Sequence, residues 1–91
     1  MSIKVFIPTP LRPYTEKQDT VEVEGTTVEE VLNNLTSRYQ PLRRHLYADD
    51  GRLRSFVNIY VNEEDIRFLK GKDTALKTGD EVSIVPAIAG G

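Results

Sequence analysis

Apolar and polar residues alternate in two short stretches near the amino end of the chain, and each stretch predicts a β-strand. Residues 3–7 place Ile, Val and Ile on one face, and the prolines that follow end this strand because proline has no N–H to donate to a sheet. Residues 20–24 place two valines on one face and acidic residues on the other, and Gly25 ends the strand. Because residues 8–18 have the composition of a loop, the two strands predict a hairpin with a long connection.

A change of hydrophobic period after this hairpin predicts an α-helix. A threonine at 26–27 can cap it, and a glutamate at 29–30 lies three residues later as the capping-box partner. One apolar face then recurs at helical spacing through Val28, Val31, Leu32 and Leu35. Pro41 is expected to end the helix, and residues 42–55 are predicted to form an irregular connection with a helical turn at 42–46.

The second half of the chain contains the strongest strand pattern. Residues 56–62 alternate with Val, Ile and Val on one face, and the polar residues 62–65 are typical of a turn. Residues 66–68 are predicted to form a short strand. A Gly-Asp turn precedes the final strand, residues 81–85, which Pro86 is expected to end.

The predicted element order is β-β-α-β-(β)-β, in which one main helix must cover one face of a mixed sheet of four to five strands. This is an α+β arrangement, and its order matches the β-grasp, or ubiquitin-like, fold. In that topology the first and last strands lie side by side in the centre, parallel to each other. We expect a single domain over residues 1–91, with 86–91 as a flexible tail.

The composition narrows the functional classes. With 38% hydrophobic and 29% charged residues, the chain has the balance of a soluble globular domain. The absence of cysteine excludes disulfides, thiolate metal sites and a cysteine nucleophile. A net charge of −2 gives no support to nucleic-acid binding, and no Gly-rich phosphate loop is present, so we do not expect the chain to hydrolyse ATP. No signal or transmembrane segment is apparent, which predicts a cytoplasmic protein.

The predicted strands leave two unlike faces on the sheet. The face expected to pack on the helix carries Ile3, Val5, Ile7, Val57, Ile59, Val61, Val82 and Ile84. The opposite face is expected to carry four large apolar side chains: Phe6, Phe56, Tyr60 and Val85. Exposed apolar patches often mark interfaces, so we expect this open face to dock a partner protein. The alternative is the ordinary preference of aromatic residues for strands.

Three further groups of residues have simpler interpretations. Recognition of an acidic partner is one possible role for the arginines of the connection, but a solvated loop is the favoured interpretation. These arginines are Arg43, Arg44, Arg52 and Arg54. His45 is the only histidine, and without neighbouring ligands or a nucleophile it is assigned no function. The acidic run 63–65 is interpreted as an exposed turn rather than a weak cation site.

The sequence ends in a diglycine, Gly90-Gly91, directly after the last strand and Pro86. The segment KTGDEVSIVPAIAGG resembles the sulfur carriers of the MoaD/ThiS family, in which a Gly-Asp turn, an acidic residue, an apolar strand and a proline precede a short tail ending in Gly-Gly. The segment FVNIYVNEEDIRFL is similar to the branch of this family that supplies sulfur for cysteine synthesis.

The resemblance implies a chemistry centred on the main chain. A partner enzyme of the E1 type would use ATP to adenylate the carboxylate of Gly91, and sulfur would replace AMP to give a thiocarboxylate. The chain itself would be a carrier, not an enzyme, and would bind no cofactor. The sulfur acceptor is expected to be a PLP-dependent cysteine synthase or, next in order, the large subunit of molybdopterin synthase. Thiamin synthesis and tRNA thiolation stay open.

The tail suits delivery of a carboxylate into the active site of another protein. Glycine has no Cβ and tolerates any backbone conformation, so Gly90 and Gly91 can pass a narrow channel. Pro86 fixes φ at the root of the tail. The predicted partner contacts are Phe6, Phe56, Tyr60, Val85, Pro86 and Ile88. Two other functions stay open: a ubiquitin-like modifier joined to lysines through Gly91, and a passive interaction domain.

Overall fold

A five-stranded mixed sheet organises the chain in a computed structural model that describes residues 2–86. Its strands are β1 (Ser2–Phe6), β2 (Thr20–Glu24), β3 (Val57–Val61), β4 (Glu64–Asp65) and β5 (Glu81–Pro86). They lie in the order β2-β1-β5-β3-β4. β5 is parallel to β1 and antiparallel to β3. The predicted mixed sheet, with the first and last strands adjacent in its centre, is therefore confirmed.

The main helix, α1 (Val28–Arg38), begins with a cap that its own sequence supplies. The Thr27 hydroxyl accepts a hydrogen bond from the Glu30 N–H at 3.2 Å. The Glu30 carboxylate in turn accepts from the Thr26 N–H at 2.9 Å. Each bond satisfies an N–H that the first helical turn would otherwise leave unpaired. Of the two predicted choices of cap and partner, the structure uses Thr27 and Glu30.

The core lies between α1 and one face of the sheet. All eight residues predicted to face the helix are buried, with exposures of 8% or less: Ile3, Val5, Ile7, Val57, Ile59, Val61, Val82 and Ile84. The four apolar residues of the helix face are also buried: Val28, Val31, Leu32 and Leu35. Burying each such side chain contributes about 1.5–3 kcal/mol before entropy is counted. This burial fixes which side chains remain on the open face.

A second helix, α2 (Gln40–Leu46), follows α1 after a single residue, Tyr39. The helical turn predicted at 42–46 is present, but it belongs to a longer helix, and α1 ends before Pro41 is reached. The proline ring would clash with the backbone inside α1, whereas the first turn of α2 accepts it without losing a hydrogen bond. Leu42 and Leu46 are fully buried, which fastens α2 to the core.

The long connection between β1 and β2 is more regular than the predicted loop. Thr9–Thr15 forms a 3₁₀ helix that starts with a proline in its first turn. Leu11 is 7% exposed and packs in the core, and the buried Thr15 hydroxyl donates to the Gln18 carbonyl at 3.0 Å. The prolines that end β1 therefore also shape a packed segment beside the sheet.

The prediction of a short strand at 66–68 is wrong, because the short strand is β4, which begins two residues earlier in the chain. Asn62 and Glu63 both have positive φ, 49° and 72°, which is the backbone of a two-residue type I′ hairpin turn. β4 follows this turn at once and pairs with the end of β3. The turn lies within the predicted polar turn 62–65, but Asn-Glu lacks the glycine that usually marks a two-residue turn, so the strand that begins at Glu64 was not apparent.

Residues Ile66–Phe68 form a 3₁₀ helix because Asp65 caps it. The Asp65 carboxylate accepts from the Arg67 N–H at 2.8 Å and from its Nη2 at 2.7 Å. The hydrogen bonds from the Arg67 side chain are the main reason that the pKa of Asp65 is lowered. Part of the predicted acidic turn is thus a capping ion pair.

The start of β5 is tied to the end of β3 by Asn62 and Asp80. The Asn62 amide donates to Asp80 Oδ1 at 3.0 Å, and the Lys77 N–H donates to Asp80 Oδ2 at 2.9 Å. Asn62 Oδ1 also accepts from the Glu81 N–H at 3.0 Å. Asp80 is 8% exposed, and the bonds from Asn62 and then Lys77 lower its pKa. These contacts set where the central strand begins.

Replacing Asp80 with asparagine is expected to lower the free energy of unfolding at pH 7 by about 1–3 kcal/mol, since one buried acceptor and its charge are lost. Because the pKa of Asp80 is lowered in the folded state, its contribution is present above the unfolded pKa of about 3.9 and is lost as the pH falls through the lower folded pKa. Urea unfolding at pH 7 and at low pH should therefore show the gap between wild type and Asp80→Asn shrinking in acid. A gap that is the same at both pH values would contradict this role, and Asp49→Asn, at an exposed carboxylate, is the control.

Candidate functional site

The strand that precedes the predicted tail lies in the middle of the sheet. β5 lies between β1 and β3 and continues through Pro86, which pairs with Val57. The predicted site residues Ile88, Gly90 and Gly91 lie outside the residues that the structure describes. The described part of the site consists of the root of the tail, Pro86, and the surfaces around it.

The open face of the sheet brings three of the predicted contact residues together. Phe6 of β1 and Tyr60 of β3 both pair with Ser83 of β5, so the two rings lie on either side of the central strand in one row. Val85 follows two residues after Ser83 and is 42% exposed. Phe6 and Tyr60 are half-buried. The expected apolar patch is present, and we call Phe6, Tyr60 and Val85 the open-face patch.

Phe56 and Pro86 meet at a second surface, a depression at the root of the tail. Phe56 precedes β3 and is 43% exposed. The depression has a volume of about 440 Å³. Its lining is formed by Pro10, Leu11, Arg44, His45, Arg54, Phe56 and Pro86. Three separate stretches of chain thus converge on the last residue of β5, and we call this surface the root depression.

The sequence patterns did not reveal the root depression. Pro10 and Leu11 were predicted to lie in a loop, and Arg44 and Arg54 in a solvated connection. Their proximity depends on α2 and on the 3₁₀ helix that packs beside it. The one available signal was the density of arginines before β3, which had no assigned role.

His45 forms part of this wall. Its ring stacks on Tyr14 with centroids 4.2 Å apart. Its Nε2 atom is buried and has no hydrogen-bond partner among the described residues. Burial, followed by the positive charges of Arg44 and Arg54, lowers the pKa of His45. The imidazole is therefore neutral at pH 7, and the charge of the root depression comes from its arginines.

The four arginines of the connection divide into two pairs. Arg43 lies over the Tyr47 ring, 4.7 Å from its centroid, and Arg52 lies 4.0 Å from Asp50 with 88% of its side chain exposed. Arg44 and Arg54 line the root depression. The predicted solvated connection fits Arg52 and Arg44, which are exposed, although Arg44 lies in α2, whereas Arg54 is half-buried.

Other surfaces offer less chemistry. Residues 2–86 contain no cluster of three or more acidic, histidine or cysteine side chains placed to hold a metal ion. Phe68 is 80% exposed and was not singled out from the sequence, because it was assigned to a strand. In the same described range, no helix has the length and apolar character needed to cross a membrane.

Comparisons with known proteins agree with this geometry. The model of the ThiS family matches residues 5–91. The sulfur carrier protein CysO of Mycobacterium tuberculosis is 45% identical over 93 residues, which cover 100% of both chains. Small archaeal modifier protein 3 of Haloferax volcanii is 38% identical over 68 residues, 75% of this chain and 73% of that protein.

A solved structure supports the fold over nearly the same length. The crystal structure of the Amycolatopsis orientalis BexX/CysO complex matches with a TM-score of 0.88 and 40% identity, covering 98% of this chain and 99% of the matched chain. The sheet order and helix packing are those of the ubiquitin-like β-grasp. The relatives are named as carriers and modifiers, not as enzymes. On the family match and the full-length identity, this chain belongs to the ThiS family.

Proposed function

We propose that this chain is a sulfur carrier that works through the carboxylate of Gly91. The observation that carries the proposal is the 45% identity, over the whole length of both chains, to a protein named a sulfur carrier. The diglycine that follows the central strand supports it, because the matched family region runs through Gly91. The chain acts as a substrate of its partners and has no catalytic residue of its own.

The proposed reaction begins in an E1-type partner. A carboxylate oxygen of Gly91 attacks the α-phosphorus of ATP, and pyrophosphate leaves to give an acyl adenylate. Sulfide supplied by the partner system then displaces AMP, so that a C–S bond replaces the C–O bond to phosphate. The sulfur of the resulting thiocarboxylate attacks an electrophilic carbon of the acceptor, and water then cleaves the acyl C–S bond, which leaves the sulfur on the acceptor and returns Gly91 as a carboxylate. Because the first step consumes ATP, the proposal includes a cytoplasmic location.

The contribution of this chain to the reaction is to position its tail for the partner enzyme. β5 pairs with β1 as far as Ser83 and with β3 as far as Pro86, so the pairing of Pro86 with Val57 holds the root of the tail at the sheet end. The open-face patch lies beside that strand and offers Phe6 and Tyr60 as anchors for a partner. Phe56 and Pro86 extend the contact to the tail root, and Ile88 would continue it along the tail. A partner docked here would receive the tail in one direction only.

The preferred acceptor is a PLP-dependent cysteine synthase. Support comes from the similarity to proteins named CysO and from the resemblance of residues 56–69 to the cysteine-linked carriers. The large subunit of molybdopterin synthase is the next candidate.

The second candidate function is a ubiquitin-like modifier whose Gly91 carboxylate is joined to lysines of target proteins. The similarity to small archaeal modifier protein 3 favours it. Adenylation is the first step in both functions, so the fate of the activated carboxylate separates them.

Mass spectrometry of the chain purified from its host is expected to show a fraction heavier by the mass difference between sulfur and oxygen, located in the terminal peptide. Deletion of Gly91 should abolish that species, since the new terminus lacks the diglycine. Diglycine remnants on lysines of other proteins, in the absence of the thiocarboxylate, would favour the modifier function. If neither product depends on Gly91, the chain is a passive interaction domain.

The open-face patch is tested with Tyr60→Ser, and Phe56→Ser tests its extension to the tail root. Each is expected to raise the KM for the carrier in ATP–pyrophosphate exchange about tenfold, because buried aromatic anchors dominate interfaces. Phe68→Ser is the matched control, since Phe68 is 80% exposed and lies outside the strands of the open face. Circular dichroism checks the fold. Unchanged kinetics in folded variants would exclude the open face as the docking surface.

A further inference from the structure

We propose that the root depression is a second docking site, which binds an acidic segment of the activating enzyme. An apolar side chain of that segment lies in the depression, and a neighbouring carboxylate contacts Arg44 and Arg54. This inference rests on the proposed function and specifies how the activating enzyme holds the tail root.

The lining of the root depression matches such a segment. Of the described residues that line it, four are apolar: Pro10, Leu11, Phe56 and Pro86. The other three are Arg44, His45 and Arg54. Within residues 2–86, no acidic side chain lines it, although the whole chain carries a net charge of −2. A cationic surface on a net acidic protein selects partners by local charge complementarity.

Arg44 and Arg54 are available to a partner, whereas Arg43 is engaged within the chain. The Arg54 Nε atom donates to the Arg44 carbonyl at 2.8 Å, which holds the Arg54 side chain against α2. Within residues 2–86, no carboxylate lies within ion-pair distance of either guanidinium. In contrast, Arg43 lies over Tyr47 and donates to the Thr36 hydroxyl at 3.3 Å.

The surrounding contacts keep this charge in place. His45 lines the root depression together with the two arginines, and its stacking on Tyr14 joins α2 to the 3₁₀ helix at Thr9–Thr15. Burial, and after it the positive charges of Arg44 and Arg54, lowers the pKa of His45. A planar guanidinium held in this way can bind a carboxylate through two parallel hydrogen bonds.

The position of the root depression gives the contact a function. Pro86 is both part of its lining and the last residue of β5. A segment seated there would hold the point at which the tail begins, while the open-face patch is held on the strands beside it. Two contacts on different sides of one strand end would fix the direction of the tail better than either alone.

The test is Arg44→Glu in the full chain, assayed by ATP–pyrophosphate exchange with the E1-type enzyme of the same host. The KM for the carrier is expected to rise about tenfold, and its dependence on salt should weaken, because an attractive charge becomes repulsive. Arg52→Glu is the matched control: it makes the same charge change in the same connection, but at a side chain outside the root depression. It should leave the KM near that of wild type.

Each other outcome is decisive. Equal effects of Arg44→Glu and Arg52→Glu would overturn the docking site, since only net charge would then matter. Normal exchange with slow sulfur transfer to the acceptor would also overturn it, because the acidic segment would belong to the acceptor. Should Arg44→Glu lower the unfolding midpoint, Arg44→Gln provides the measurement, with a KM increase of about threefold expected from the loss of one charge.

A parallel assay separates this inference from the proposed function. Deletion of Gly91 should abolish exchange in the wild-type background. If it does and Arg44→Glu behaves like Arg52→Glu, the carrier function stands and only the root depression loses its role. If exchange survives the deletion, the carrier function itself fails.

Discussion

The parallel pairing of β1 with β5 is the contact on which the rest of the molecule depends. It joins the two ends of the described chain, and it places the last strand between β1 and β3 rather than at an edge. Parallel strands need cover on their buried face, and α1 supplies it with its apolar stripe. Because the strand that leads to the tail is central and packs on the core, the root of the tail is held in place by the core.

The open-face patch and the root depression have different structural origins. The open-face patch follows from the pleat of the sheet: once Val82 and Ile84 are buried, Ser83 and Val85 must face outward beside Phe6 and Tyr60. The root depression follows from the packing of α2 against the long first connection. One surface is apolar and the other carries two arginines, so together they distinguish partners by shape and by charge.

Sequence patterns were sufficient wherever one periodicity governed many residues. The inward residues of three strands, the cap of α1 and the neighbours of β5 all followed from alternation and topology. The patterns failed where a single local interaction decided the outcome. α1 ends before Pro41 as expected, but the same proline also lies in the first turn of α2, which the pattern did not predict, and the Asn62-Glu63 turn places the short strand at β4. The root depression could not be predicted, because its residues are distant in sequence and meet only after α2 is packed.

The central position of β5 also has a consequence for folding during synthesis of the chain. Strands β1 to β4 leave the ribosome before β5, yet they cannot complete the sheet without it, since β1 and β3 pair with β5 and not with each other. A chain that stops short of β5 exposes two unpaired strand edges, which can pair with other chains and aggregate. Folding is thereby coupled to completion of the strand that bears the tail, so immature chains would not compete with finished ones for the activating enzyme.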